Sequence, residues 1–282
     1  MRLASIRTGT TEVPAIVDPV RGVVPVPALF PGFDGDLLAV ITQGLHGELA
    51  KLAETAPDEL FVPRETVAFG PPYRHPRLIW GIGLNYVDHA ADLSEQVPDE
   101  PASFMKGDHT VIGPGEPIPI PRQSARTTAE AELGLVIGRY CRNVSEAEAP
   151  DHVLGVTTIL DQTAEDILER NPRFLTRSKN FPGFFSFGPE IVPLADLPNG
   201  VRDLSALEVS TVLNGAVHRS NTVARMRYSP QFLVSFHSAV MPLQPGDIIA
   251  TGTPGAAHVR PGDTVQCRIP GVGVLANPVV QG

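Results

Sequence analysis

The chain has 282 residues, with 22 Lys and Arg against 31 Asp and Glu and a formal net charge of −9. Apolar residues make up 42% and charged residues 19%, the balance of a folded globular chain and not of a disordered one. The acidic surplus argues against nucleic acid, whose affinity rests on Lys and Arg neutralising phosphates, and no apolar run approaches the roughly 18 residues of a membrane-crossing helix.

In chain order, residues 1–30 alternate short apolar runs with Gly, Asp and Pro and read as one or two strands with turns. Over 36–56, Leu37, Leu38, Ile41, Leu45, Leu49 and Leu52 recur at spacings of three and four and predict one amphipathic helix, weakened by Gly44 and Gly47. PPYRHP at 71–76 marks a boundary between a small N-terminal α+β domain (1–70) and the remainder (71–282). RLIWGIGLN reads as a buried strand leading into a short helix, NYVDHAADL, and 94–103 as an exposed acidic loop. Proline keeps GPGEPIPIP at 113–121 out of a helix. A strand follows at 128–138, then a short helix, SEAEAPDHVLG, the strand VTTILD and the helix QTAEDILER. From 186 strands dominate (FGPEIVP, LEVSTVLNG, DIIATGT, TVQCRI), with one helix, SPQFLVSFHSAV. Pro-Gly-Asp at 245–247 and 261–263 predicts two type II turns, with Pro setting the first turn position and Gly the second. The whole reads as a β-rich α+β fold with a rolled, barrel-like sheet in the larger part. The start, MRLASIRTGTTEV, shows no apolar stretch of a signal peptide. Cys141 and Cys267 alone are no disulfide framework, so a reduced, cytoplasmic protein is expected.

Glu130 and Glu132 carry the most information. Two apart in a strand, they share a face, while Ala131, Leu133, Leu135 and Ile137 make a core face on the other side. Two carboxylates about 7 Å apart on a buried strand are tolerable beside a cation or with one protonated. On an edge strand they would be two solvated glutamates, and both readings are open from the motif. Asp161 is expected at a strand end that begins a helix. There it serves either as an N-cap or as the third carboxylate of an all-oxygen site. No His or Cys is near in sequence, so such a site selects Mg2+, Mn2+ or Ca2+ over zinc. His89 and Asp92 stand at i and i+3, as a general base with its orienting carboxylate or as a surface ion pair. Lys179, next to the aromatic run FPGFFSFG, is a candidate holder of an anionic substrate, or a solvated loop lysine. Thr251-Gly252-Thr253-Pro254-Gly255 lets backbone N–H groups approach a ligand, or is simply a turn. Phosphate-binding and dinucleotide fingerprints, a GxSxG elbow and CxxC pairs are all missing.

Taken in order, GIGLNYVDHAADL, FMKGDHTVIGPGEPI, EAELGLVIG, LDQTAED, RSKNF with FGPEIV, and PGDIIATGTPG resemble the fumarylacetoacetate hydrolase family over about residues 70–282. The resemblance implies a rolled, mixed-sheet catalytic domain in a homodimer. It implies Mg2+ or Mn2+, with Ca2+ as a further candidate, bound by Glu130, Glu132 and Asp161. It implies that His89 with Asp92 activates water or moves a proton, and that Lys179, Lys106, Gln162, Thr253 and Gly252 serve the substrate. The implied substrate is a small 1,3-dioxo or 2-oxo carboxylic acid, cleaved at a C–C bond through a metal-held enolate. A decarboxylase, a keto–enol isomerase or hydratase, or a non-catalytic metal-binding relative are the alternatives.

The sequence also departs from the family. Asp92 stands where Glu is common. Glu165 and Leu168 stand where Arg and Gln are common, and Lys179-Asn180-Phe181-Pro182 stands for Lys-Ser-Phe-Asp. Losing a cation and gaining an anion at Glu165 argues against a diacid substrate, unless Arg170, Arg173 or Arg177 substitutes.

Overall fold

The computed structural model describes residues 1–87, 98–197 and 203–282. Its strands are β1 (Arg2–Thr8), β2 (Thr11–Asp18), β3 (Gly22–Pro25), β4 (Ile79–Gly83), β5 (Ala102–Lys106), β6 (Val111–Ile112), β7 (Ile118–Ile120), β8 (Thr127–Ile137) and β9 (Val153–Ala164). They continue with β10 (Phe185–Phe187), β11 (Glu190–Pro193), β12 (Glu208–Leu213), β13 (Ala216–Thr222), β14 (Ile248–Ala250), β15 (Ala256–Val259), β16 (Thr264–Ile269) and β17 (Gly273–Gln281). Among the described residues twelve strands form one sheet and five form a second, ordered β13-β12-β16-β17-β7. Both are mixed: β14 runs parallel to β4, and β17 parallel to β7. Neither sheet closes on itself, so the fold is the expected β-rich α+β class with open sheets.

β8 organises the larger sheet. Its sequence, TTAEAELGLVI, alternates two kinds of surface. Ala129, Ala131, Leu133, Leu135 and Ile137 pack with Val209, Val265, Cys267 and Leu275 of the smaller sheet, burying the face between the sheets. The other face changes character along the strand. At one end Val136 packs with Ile159, Ile248 and the N-terminal helices; at the other stand Glu132, Glu130 and Thr128. Apolar packing therefore anchors one half of this face and leaves the other half for polar chemistry.

Residues 1–30 form three strands rather than one or two, and SEAEAPDHVLG holds only a single 3-10 turn, Ala149–Asp151, before β9 begins; two further expectations change in the structure. The apolar stretch 36–56 forms two helices, α2 (Leu37–Thr42) and α3 (His46–Thr55), which follow the single turn α1 (Val26–Leu29). Asp36 caps α2 by accepting from the Ala39 N–H at 2.9 Å. Gly44, at φ +69°, ends it with bonds from Gly44 N to Ile41 O and from Leu45 N to Val40 O. Periodicity survives this break because Leu37, Ile41 and Leu49 all reach the same core. Second, Asp161 does not end its strand. The β8–β9 ladder continues to Thr127↔Ala164, so the chain stays extended until Glu165, which begins α4 (Glu165–Arg170). Asp161 is thus a mid-strand residue and caps no helix.

The helices α5 (Leu175–Lys179) and α6 (Pro230–Val240) complete the described set. Both Pro-Gly-Asp turns form, with Asp247 N donating to Gln244 O and Asp263 N to Arg260 O, each at 3.0 Å. The first 70 residues extend the large sheet, because β1 pairs with β11 at Leu3↔Ile191. Arg2 and Arg64 both reach the buried carboxylate of Glu190 across that junction. No helix among the described residues is long and apolar enough to cross a membrane.

Candidate active site

The ladder alone assembles the carboxylates. Glu130 and Glu132 share a face of β8 because strand side chains alternate, and Asp161 joins that face as the direct cross-strand partner of Glu130. One oxygen from each of the three lies within 4.8 Å of the others. Glu132 and Asp161 are buried and Glu130 is partly exposed, so the cluster opens on the Glu130 side.

Two lysines neutralise it. Lys106, at the end of β5, reaches Asp161 Oδ1 and donates to the carbonyl of Gln162 at 3.2 Å. Lys179, at the end of α5, donates to Asp161 Oδ2 at 2.8 Å and to Glu130 Oε2 at 3.3 Å. Its ammonium also sits 4.6 Å from the centre of the Phe104 ring. That ring lies on Gly81, where a Cβ would stand 2.2 Å from it.

Burial opposes every one of these charges, and the neighbours decide the outcome. Burial, then the charges of Asp161 and Glu130, hold the Glu132 carboxyl well above the usual range. Burial also works to raise Asp161, but the ammoniums of Lys106 and Lys179 pull it below its ordinary value. Burial pushes Lys106 down to about 8, against the pull of Asp161. Lys179 goes up, because Asp161 and Glu130 outweigh its burial. The two ammoniums offset the negative charge that the three carboxylates concentrate, as a desolvated cluster requires.

The donor set fits a hard divalent cation. All three carboxylates offer oxygen, and their spacing is that of groups able to share one ion.

The glycine loop serves this cluster through Glu132. Gly252 N donates to Glu132 Oε2 at 2.6 Å, so it positions a carboxylate directly and a substrate only through it. The hydroxyl of Thr253 is buried and engaged with Gly255 of its own loop. Gly252 has φ +99°, and a Cβ there would meet Asn85 Cβ at 2.8 Å. Gly252→Ala should therefore lower stability by roughly 1–3 kcal/mol and weaken cation binding, readable by thermal melting and Mn2+ titration calorimetry.

Gln162 is not brought to the cluster. As the residue after Asp161 it projects to the opposite face of β9, level with the core residue Ala129. Only its carbonyl meets Lys106. His89 and Asp92 lie outside the described residues. The sequence reading missed Asn85, which ties three segments together. Its Nδ2 donates to Thr251 O at 2.7 Å and to Tyr228 O at 3.1 Å, and its Oδ1 accepts from Tyr228 N at 2.9 Å. Phe104 was missed too. Neither stands in a pattern that names its role before the chain is folded.

An open mixed sheet that carries three clustered carboxylates, two of them buried, between two ammoniums defines a class of protein whose donor set could hold a hard cation. Residues 78–280 match the family profile described as fumarylacetoacetate (FAA) hydrolase, C-terminal. The chain belongs to the fumarylacetoacetate hydrolase family. It is 39% identical over 212 residues to a 4-hydroxyphenylacetate degradation bifunctional isomerase/decarboxylase of Escherichia coli, covering 74% of this chain and 48% of that one. Two solved structures also match over their full or nearly full length. The 5-carboxymethyl-2-hydroxymuconate delta-isomerase of Mycobacterium smegmatis has a TM-score of 0.78 at 30% identity, covering 100% of this chain and 99% of that one. The maleylpyruvate hydrolase of Sphingobium sp. SYK-6, solved with manganese(II) and pyruvate, has a TM-score of 0.81 at 28% identity, covering 100% of both chains.

Proposed function

We propose that this protein is a divalent-metal-dependent hydrolase that cleaves a C–C bond in a small 1,3-dioxo or 2-oxo carboxylic acid. The observation that carries this reading is the cluster of Glu130, Glu132 and Asp161 held between Lys106 and Lys179. Mg2+ or Mn2+ is the cation, and the manganese and pyruvate in the Sphingobium hydrolase support both the metal and the acid. The metal, when bound, polarises the 2-oxo carbonyl and stabilises the negative charge that develops as the bond breaks.

The protein's own residues do the rest. Lys179, kept charged by Asp161 and Glu130, orients the acid's carboxylate, with Phe104 shielding its other side. His89, with Asp92 three residues on in the sequence as its carboxylate partner, takes a proton from water. The resulting hydroxide adds to the 4-oxo carbon, the C3–C4 bond breaks, and C3 takes up a proton. One water is consumed, and two carboxylic acids leave. A homodimer in the cytoplasm belongs to the same reading, and light scattering tests its first half.

A second reading, isomerase or decarboxylase on the same cluster, is supported by the Escherichia coli and Mycobacterium smegmatis relatives. Product analysis separates the two. Metal-stripped protein, with and without Mn2+, is incubated with acetylpyruvate, fumarylpyruvate and oxaloacetate. Two carboxylic fragments that depend on the metal and vanish in His89→Ala are the expected result. Carbon dioxide from oxaloacetate alone, or a product of unchanged mass, would move the assignment to the second reading. Metal binding without any turnover would mark a non-catalytic relative.

A further inference from the structure

Beside the carboxylates the same face of the sheet carries two hydroxyls with nothing to bond. Thr128 precedes Glu130 by two residues, and its cross-strand partner on β9 is Thr163, two residues after Asp161. Alternation puts both on the carboxylate face, about 7 Å along the strands from the cluster. They are 1% and 2% exposed, and neither hydroxyl has a hydrogen-bond partner among the described residues. Buried hydroxyls are normally satisfied, so a pair left open beside a ligand site marks where ligand atoms go.

The rim above this pair has a definite charge. Glu165, the first residue after β9, holds Arg126 at 2.7 Å and stands 3.5 Å from His258, which is the Cα partner of Thr128 on β15. Arg126 is also taken by Glu169. Arg170, one candidate to replace the family's cation, is turned to Asp166. A carboxylate arriving at this end would meet Glu165 and a guanidinium already shared by two acids.

We propose that Thr128 and Thr163 form the subsite for the far end of the substrate, and that this end carries a neutral oxygen, a carbonyl or hydroxyl, and not a second carboxylate. The inference rests on the acid-binding reading above and narrows it to mono-acids with a neutral oxygenated tail. Threonine hydroxyls donate and accept, so either a carbonyl or a hydroxyl satisfies them.

The test measures kcat/KM of the Mn2+-loaded protein for a 2,4-dioxo acid whose acyl tail ends in a hydroxyl, and for fumarylpyruvate, whose tail ends in a second carboxylate. Oxalate, which has no tail, serves as a competitive ligand. Wild type should prefer the hydroxyl-tailed acid. Thr128→Val and Thr163→Val should each lower kcat/KM for that acid about tenfold, the worth of one hydrogen bond, chiefly through KM. Oxalate inhibition should stay unchanged, and Thr→Ser at either position should restore the wild-type value. Glu165→Gln, at the rim and outside the core, should shift preference toward the diacid even if a valine variant fails to fold. Wild-type preference for the diacid overturns the proposal. So do valine variants with unchanged kcat/KM while oxalate still binds. Failure of wild type to bind oxalate or turn over either acid overturns the acid-binding reading itself, and this inference with it.

Discussion

Glu132→Gln should leave the protein folded and remove its divalent cation. Glu132 is buried, and its carboxyl is pushed well above the usual carboxylate range by burial and by the charges of Asp161 and Glu130. Glutamine has nearly the same shape as the protonated form. Its amide oxygen can still accept from Gly252 N, the contact that ties the glycine loop to β8. The melting temperature of the metal-free protein should therefore change by only a few degrees. Cation binding is different, because an ion in this cluster needs the ionised carboxylate and an amide supplies no charge. Changing groups that merely support metal ligands costs 10–100-fold in affinity, so losing a charged ligand should cost at least about 100-fold. Calorimetric titration with Mn2+ measures it. A variant that binds Mn2+ as tightly as wild type would show that the three carboxylates are not the cation site.

Lys179→Met should do the opposite, destabilising the metal-free protein and leaving the cation site usable. Methionine keeps the side-chain length and its packing on Phe104 but removes an ammonium that bonds both Asp161 and Glu130. Lys106 alone then bonds the cluster, through Asp161, and the negative charge that Lys179 had met is left without compensation. Breaking a buried pair in this way costs about 3–5 kcal/mol, a melting-temperature loss on the order of 10 °C for a chain of this size. Saturating Mn2+ should recover much of that loss, since the ion replaces the missing positive charge and binds only the folded state. Turnover should not return if Lys179 orients the substrate's carboxylate, as proposed above. Scanning fluorimetry with and without Mn2+ reads the first effect, and product formation the second. Equal melting of wild type and variant without metal would mean that Lys179 does not neutralise this cluster.

The contrast between these two residues shows how much of the site could be read before folding. Glu130 and Glu132 were legible because strand alternation is a local rule: two residues apart means one face. Asp161 was legible as a carboxylate near a strand and a helix, yet its role as a mid-strand partner of Glu130 came only from register. A strand ends where its neighbour stops supplying hydrogen bonds, and that neighbour, Thr127, lies 37 positions before the last strand residue, Ala164, in a sequence that cannot show the pairing. Lys106 and Lys179 were singled out from the resemblance and from the aromatic run. What they do depends on β5 and α5 meeting β9, a contact between segments more than 50 residues apart in the case of Lys106 and Asp161. Gln162 shows the reverse, a residue next to Asp161 in sequence that the same alternation sends to the other face.

By itself the sequence determined what short-range physics controls. It settled the β-rich class, the shared face of Glu130 and Glu132 and the two Pro-Gly-Asp turns, and it left open whether Asp161 caps a helix or completes an all-oxygen cluster. The break at Gly44 and the extension of the N-terminal strands onto β11 were decided only by the tertiary structure. So were the staple made by Asn85, the seat of Phe104 on Gly81, and the two unsatisfied hydroxyls of Thr128 and Thr163. These depend on which distant strands pair and in what register, and register is chosen by how the apolar faces of the whole sheet find each other. No local pattern encodes that choice.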